Sequence, residues 1–207
     1  MRLNHINYIV LAALINFFLV ICFAPDLASP AFFHDSGGGS FLNIILILVT
    51  LVLVFRNVCI ADSNKDRFAW VCLIYVVEIY LFREADFHRA FTIEHVTRIG
   101  FYTDAEIPLL QRLIGGAVMG IFILAFLYLA INYIKSFLRA LYHRQAWAVA
   151  LFLWASLLVL SQVADQSFLN TYSNWRMKAL EEMLEISAAA YAVTSISLFS
   201  FKGFRDL

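Results

Sequence analysis

Long apolar runs, separated by short polar stretches, dominate this chain. A helix that crosses a membrane needs roughly 20 apolar residues at 1.5 Å rise each, and six of the runs reach or approach that length. The third run is the weakest, because its apolar part ends at Phe82 and it must continue as helix through part of 83–88 to cross. The pattern predicts an all-α, polytopic transmembrane helical bundle. The predicted spans are 6–24, 41–56, 68–88, 109–134, 145–165 and 180–201.

The composition is that of a membrane protein. Hydrophobic residues make up 62% of the chain and charged residues only 14%, whereas soluble domains have about 45–50% apolar and about 25% charged residues. The formal net charge is zero, and no nucleic-acid partner is expected. The length of 207 residues suits a single integral-membrane domain, 1–207.

The distribution of Lys and Arg predicts the orientation, because cytoplasmic loops carry an excess of these residues. With six spans, nine of the fifteen fall on the side of the two termini and six on the other side. Both termini are therefore expected in the cytoplasm, with the loops 25–40, 89–108 and 166–179 outside. We expect a multi-pass protein of a cell membrane, and specifically of a bacterial inner membrane.

The first apolar run has a second interpretation. Ser29-Pro30-Ala31 contains small residues of the kind found at signal-peptide cleavage sites. The run is long for a signal peptide, however, and the positive charge before it is weak, so a retained first helix is favoured. Either interpretation leaves the later loops on the same sides of the membrane.

Acidic residues collect on the side opposite the termini. Twelve of the fifteen acids lie there, mostly at the ends of three helices, and ionisable groups at a membrane boundary are costly and usually functional. Glu84 and His88 are four residues apart and would share a helix face. Asp165 ends the fifth span with no basic residue within four positions, and Glu78 lies deeper in the third span.

These residues define a candidate site on the outer side of the bundle. Carboxylate and imidazole groups can hold a divalent metal ion, and such a metal can activate water against a lipid or a lipid-linked substrate. We predict Glu84, His88 and Asp165 as catalytic residues. Membrane lipids are expected partners, as are other membrane subunits. The predicted metal ligands are Glu78, Glu84, His88, Asp165, Glu182 and Glu185.

Other functions fit the same residues, and the sequence leaves open whether the protein is an enzyme. Intramembrane acids such as Glu78 and Asp165 are also typical of an ion- or proton-coupled transporter. The small size and the lack of a complete motif are typical of an accessory subunit of a membrane complex. Ordinary structural roles exist as well, since Glu182 could pair with Lys178 on its own helix.

Known catalytic motifs are missing from the sequence. It contains neither His-Glu-x-x-His nor Gly-x-Ser-x-Gly. Glu181-Glu182 is similar to the paired glutamates of the membrane CAAX-type proteases. However, Ile186 stands where those enzymes carry Arg, and no His follows His143. The sequence therefore assigns no family.

Three local patterns predict structure rather than chemistry. The segment 89–108 mixes apolar and charged residues, which predicts a short amphipathic helix at the outer surface. Gly116 and Gly120 form a Gly-x-x-x-Gly pair, which favours a close helix contact inside the chain. The small residues 187–190 are also suited to tight helix packing.

Overall fold

A computed structural model is all-helical over the residues that it describes, which are 8–9, 12–13, 15–16, 38–85, 99–104, 106–165 and 175–199. The described residues of the N-terminal segment are helical as well. The predicted all-α class is thus confirmed. The six helices described in full are α1 (Gly38–Ile60), α2 (Asn64–Glu84), α3 (Ile99–Thr103), α4 (Leu109–Tyr142), α5 (Ala146–Asp165) and α6 (Trp175–Leu198).

Three helices are long and apolar enough to cross a membrane. They are α1, α4 and the Ala146–Val163 part of α5, with mean hydropathies of 2.5, 2.4 and 1.9. Helices α2 and α6 have sufficient length, with 21 and 24 residues, but both carry several charged residues. The first predicted span lies mostly outside the described residues, so the six-span topology remains a prediction.

Local hydrogen bonds explain where α2 begins. Ser63 is the N-cap, with extended backbone angles, and its Oγ accepts a hydrogen bond from the Asp66 backbone N–H over 3.1 Å. The Ser63 hydroxyl also donates to the Asp66 carboxylate over 2.7 Å. This cap satisfies one of the backbone donors of the first turn. It starts the helix four residues before the predicted span. The helix ends at Glu84, and the predicted continuation through 86–88 lies outside the described residues.

A tight turn joins α4 to α5. The Gln145 N–H donates to the Ala140 carbonyl and the Arg144 N–H donates to the Leu141 carbonyl, both over 2.9 Å. Arg144 has a φ of 51°, which is the left-handed conformation usually taken by glycine. These are the features of a Schellman motif. The motif ends α4 eight residues beyond the predicted span, because nothing before it interrupts the helix.

The chain divides into two compact units, Met1–Leu53 with Lys135–Leu207, and Val54–Ile134. In the second unit, α2 packs against α4. The Tyr75 hydroxyl donates to the Val118 carbonyl over 3.0 Å, and the Phe68 ring meets the Tyr128 ring edge-on at a centroid distance of 4.8 Å. A side-chain donor thus satisfies a second lone pair of an α4 carbonyl and ties the two helices together.

The glycine pair on α4 does not form the expected close helix contact among the described residues. A Cβ atom added at Gly116 would lie 3.8 Å from the Tyr102 ring, and one added at Gly120 would meet no atom within 4 Å. Tyr102 belongs to α3, the helix among the described residues of the predicted amphipathic segment. Gly116 therefore accommodates an aromatic ring of a short helix.

In the first unit, α5 and α6 pack closely against each other. Small residues make this possible, since Ala148, Ala188 and Ala189 are fully buried. The Ser195 hydroxyl donates to the Trp147 carbonyl over 3.1 Å between the two helices. The predicted packing role of the small residues holds for Ala188 and Ala189, whereas Ala190 is exposed. Close approach of small residues is the usual basis of helix association in membranes.

Candidate functional site

Two carboxylates of α6 are buried in the first unit. Glu182 and Glu185 are three residues apart, so they lie on one side of the helix, and each is only 7% exposed. Glu181, the other acid of this group, is half-buried. Acidic side chains are almost never this buried unless they bind a partner. The pair is therefore the centre of the candidate site.

Helix α1 contributes a hydrogen bond to this pair. The Ser40 hydroxyl, in the first turn of α1, donates to Glu182 Oε1 over 2.9 Å. The two residues are 142 positions apart in the chain, so the contact is tertiary and not a helix cap. A hydroxyl is a neutral donor: it orients and stabilises a carboxylate but leaves the carboxylate's charge in place.

The face of α1 that carries Ser40 is polar and buried along much of the helix. Asn43 and Thr50 follow Ser40 at helical spacing, with Ile47 between them, and these three residues are at most 2% exposed. Asn57 continues the same spacing and is also buried. The opposite side of α1 carries exposed apolar residues such as Phe41, Leu48, Val52 and Phe55. Apolar residues on the outer face and polar residues on the inner face are expected for a helix that contacts lipid on one side and the protein interior on the other.

The acids of α2 belong to the second unit. The Glu84 side chain is 9% exposed, and its Oε1 lies 3.8 Å from Arg83 Nε. Glu78, about one and a half turns earlier, is half-buried. Glu84 is thus a largely buried carboxylate at the end of α2, and its predicted role in a site stays a prediction. Its contact with Arg83 offsets part of its charge.

Two predicted site residues cannot be placed. His88 lies outside the described residues, and Asp165 is the last residue of α5 but its side chain also lies outside the described part. The predicted convergence of Glu84, His88, Asp165 and Glu185 therefore stays a prediction. Among the side chains that the structure describes, no three or more of His, Cys, Asp and Glu come together as a metal-binding group.

The arrangement at α6 offers oxygen ligands of the kind that divalent cations prefer. Mg²⁺ is held in many proteins by only one or two carboxylates, with water completing its octahedral shell. Two buried carboxylates on one helix side, with a hydroxyl at 2.9 Å from one of them, supply the number of acidic ligands that such a site uses.

The sequence interpretation missed Ser40 and Asn43. The sequence held a signal for them. Polar residues stand at 40, 43, 50 and 57 in an otherwise apolar run, at spacings of three and seven residues. That spacing marks one face of the helix. It does not reveal that this face would meet Glu182. Comparisons with protein-family models, with curated proteins and with solved structures each found no match.

Proposed function

We propose that this is an integral membrane protein of six spans with both termini in the cytoplasm, and that Glu182 and Glu185 bind a divalent cation on its outer side. Three helices of spanning length and hydropathy support the membrane location. The bias of nine to six in Lys and Arg supports the orientation. The main support for the cation site is that both carboxylates are only 7% exposed and that a hydroxyl from another helix donates a hydrogen bond to one of them.

The proposed role of this ion at the membrane surface is metal-assisted chemistry on a lipid or a lipid-linked substrate. A bound divalent cation would neutralise both carboxylates and could polarise a substrate oxygen or activate water. Glu84, His88 and Asp165 are the proposed catalytic groups, since each is a carboxylate or imidazole that can accept or donate a proton. Glu78 is a further proposed ligand.

The test is turnover of lipid in vesicles that contain the purified protein and total membrane lipid. Release of a water-soluble product is measured with and without EDTA, and after a divalent cation is added back. We expect EDTA and Glu182→Gln each to abolish release, and Glu106→Gln, which makes the same change at an exposed acid, to leave it intact. Release that is insensitive to EDTA and to Glu182→Gln would contradict this function.

Cation- or proton-coupled transport is the second candidate. It is favoured by the buried polar face of α1, where Asn43 and Thr50 continue inward from Ser40. Polar groups buried along a membrane helix are typical of ion pathways. Vesicles that release no lipid product but carry a cation flux, lost in Glu182→Gln, would establish transport instead. Lipid would cover the exposed apolar faces of α1 and α4 as readily as a protein partner would. These faces therefore do not favour an accessory subunit over the other two functions.

A further inference from the structure

Side chains are closely packed at the corner between α3 and α4, in the second unit. Phe101 and Ile107 are fully buried on either side of the turn. The Tyr102 ring lies against Gly116, and Arg112 NH1 donates to the Tyr102 carbonyl over 3.4 Å. These contacts hold the Arg112 side chain in the first turn of α4 against the short helix.

The charge of Arg112 is not matched by a carboxylate there. Arg112 forms no ion pair with any acidic residue of the described part of the chain. Its Nε is buried and has no hydrogen-bond acceptor among the described residues. The neighbouring acid Asp104 accepts a hydrogen bond from the Glu106 backbone N–H over 2.9 Å. A partly buried guanidinium without a counter-charge is costly, so an anion is expected to bind it.

Two other buried polar atoms at this corner lack a hydrogen bond within the described part of the chain. The Tyr102 hydroxyl and Gln111 Oε1 are buried and form no hydrogen bond with the residues that the structure describes. Burial raises the pKa of the Tyr102 hydroxyl above its usual range, so the group keeps its proton at neutral pH and remains a donor. A guanidinium and a phenol, two kinds of donor, therefore lie at one corner, and each has a buried atom without an acceptor among the described residues.

We propose that Arg112, assisted by the Tyr102 hydroxyl, binds the phosphate of a membrane-lipid headgroup where α4 enters the membrane. A guanidinium matches the geometry of phosphate oxygens and can bind two of them at once. The adjacent residues Leu109, Leu110 and Leu113 are 61–68% exposed, and they offer an apolar surface to the acyl chains of the same lipid. This binding does not depend on the acidic site of α6.

The experiment compares lipids that differ only in the headgroup. Purified full-length protein in detergent receives phosphatidylglycerol or a diacylglycerol with the same acyl chains, and in a third arm inorganic phosphate. Thermal unfolding and the number of lipids retained in native mass spectrometry are measured. We expect phosphatidylglycerol to raise the Tm of the wild type while diacylglycerol does not. Arg112→Gln should weaken phosphatidylglycerol binding roughly tenfold or more.

Two further variants separate binding from a general loosening of the corner. Tyr102→Phe keeps the ring and the backbone carbonyl, and it should weaken binding a few-fold while the fold is retained. Arg83→Gln makes the same charge change at an Arg that already contacts Glu84, and it should bind phosphatidylglycerol as the wild type does. Equal binding by the wild type, Arg112→Gln and Tyr102→Phe would overturn the proposal. Protection by inorganic phosphate, with no difference between the two lipids, would also overturn it and identify a free anion instead.

Discussion

The Ser40→Ala substitution removes the hydroxyl that donates to Glu182 Oε1 over 2.9 Å. A hydrogen bond to a charged group contributes about 1.5–3 kcal/mol, and a neutral pair about 0.5–1.5 kcal/mol. If Glu182 is ionised, Ser40→Ala should lower the free energy of unfolding by about 2 kcal/mol. For a chain of this size, each kcal/mol corresponds to roughly 2–4 °C in Tm, so we expect a decrease of about 4–8 °C.

A double-mutant cycle shows whether the loss comes from this contact. Glu182→Gln preserves the shape of the side chain and an acceptor oxygen but removes the charge. In that background Ser40→Ala should cost only about 1 kcal/mol, which leaves a coupling of about 1 kcal/mol between the two positions. Thermal unfolding in one detergent, followed by circular dichroism, measures all four proteins.

Ser197 provides a matched control for the same chemical change. Its hydroxyl is exposed and donates to the Val193 carbonyl of its own helix over 2.7 Å. Ser197→Ala should therefore change stability by less than about 0.5 kcal/mol. A Ser40→Ala protein no less stable than Ser197→Ala would show that the hydrogen bond to Glu182 does not stabilise the fold. An equal loss of stability with Glu182 and with Gln at position 182 would show that the charge of Glu182 does not matter.

Three further outcomes are expected. Ala189→Leu should destabilise the protein by about 1–3 kcal/mol through overpacking at the buried α5–α6 contact. Ala190→Leu, at the next and exposed position, should not. Equal Tm values for the two variants would show that the helices do not pack at Ala189. Arg144→Gly should raise the free energy of unfolding by about 0.5–1 kcal/mol, because glycine adopts a φ of 51° without steric cost, and a lower Tm would count against the turn. Reporter fusions at Lys65 and Asn174 should report opposite sides of the membrane, and the same side for both would exclude the six-span topology.

Hydrophobic pattern was sufficient to predict most helices but not their ends. The predicted span 109–134 became Leu109–Tyr142, because the polar residues after Ile134 are good helix formers and leaving the apolar run does not end a helix. The start of α2 depended on the Ser63 cap, which the search for apolar runs overlooked. Local chemistry, rather than hydropathy, sets these boundaries.

The candidate site could be predicted only by residue type and depth. Glu182 and Glu185 are buried near the start of α6, which packs against α5 and accepts a hydrogen bond from α1. The contact with Ser40 could not be predicted, because periodicity shows which residues share a face but not which helices meet. Ser40 and Glu182 come together only through the tertiary arrangement of α1 and α6.

The metal content of the purified full-length protein shows whether the buried carboxylates of α6 bind a divalent cation. Elemental analysis would compare the wild type with Glu182→Gln, Glu185→Gln and Glu106→Gln, after the proteins are loaded with Mg²⁺ or Mn²⁺ and excess metal is removed. We predict one bound ion per chain in the wild type and in Glu106→Gln, and a loss of that ion in both α6 variants. A wild type without bound metal, or the same metal content in all four proteins, would show that these carboxylates hold no ion.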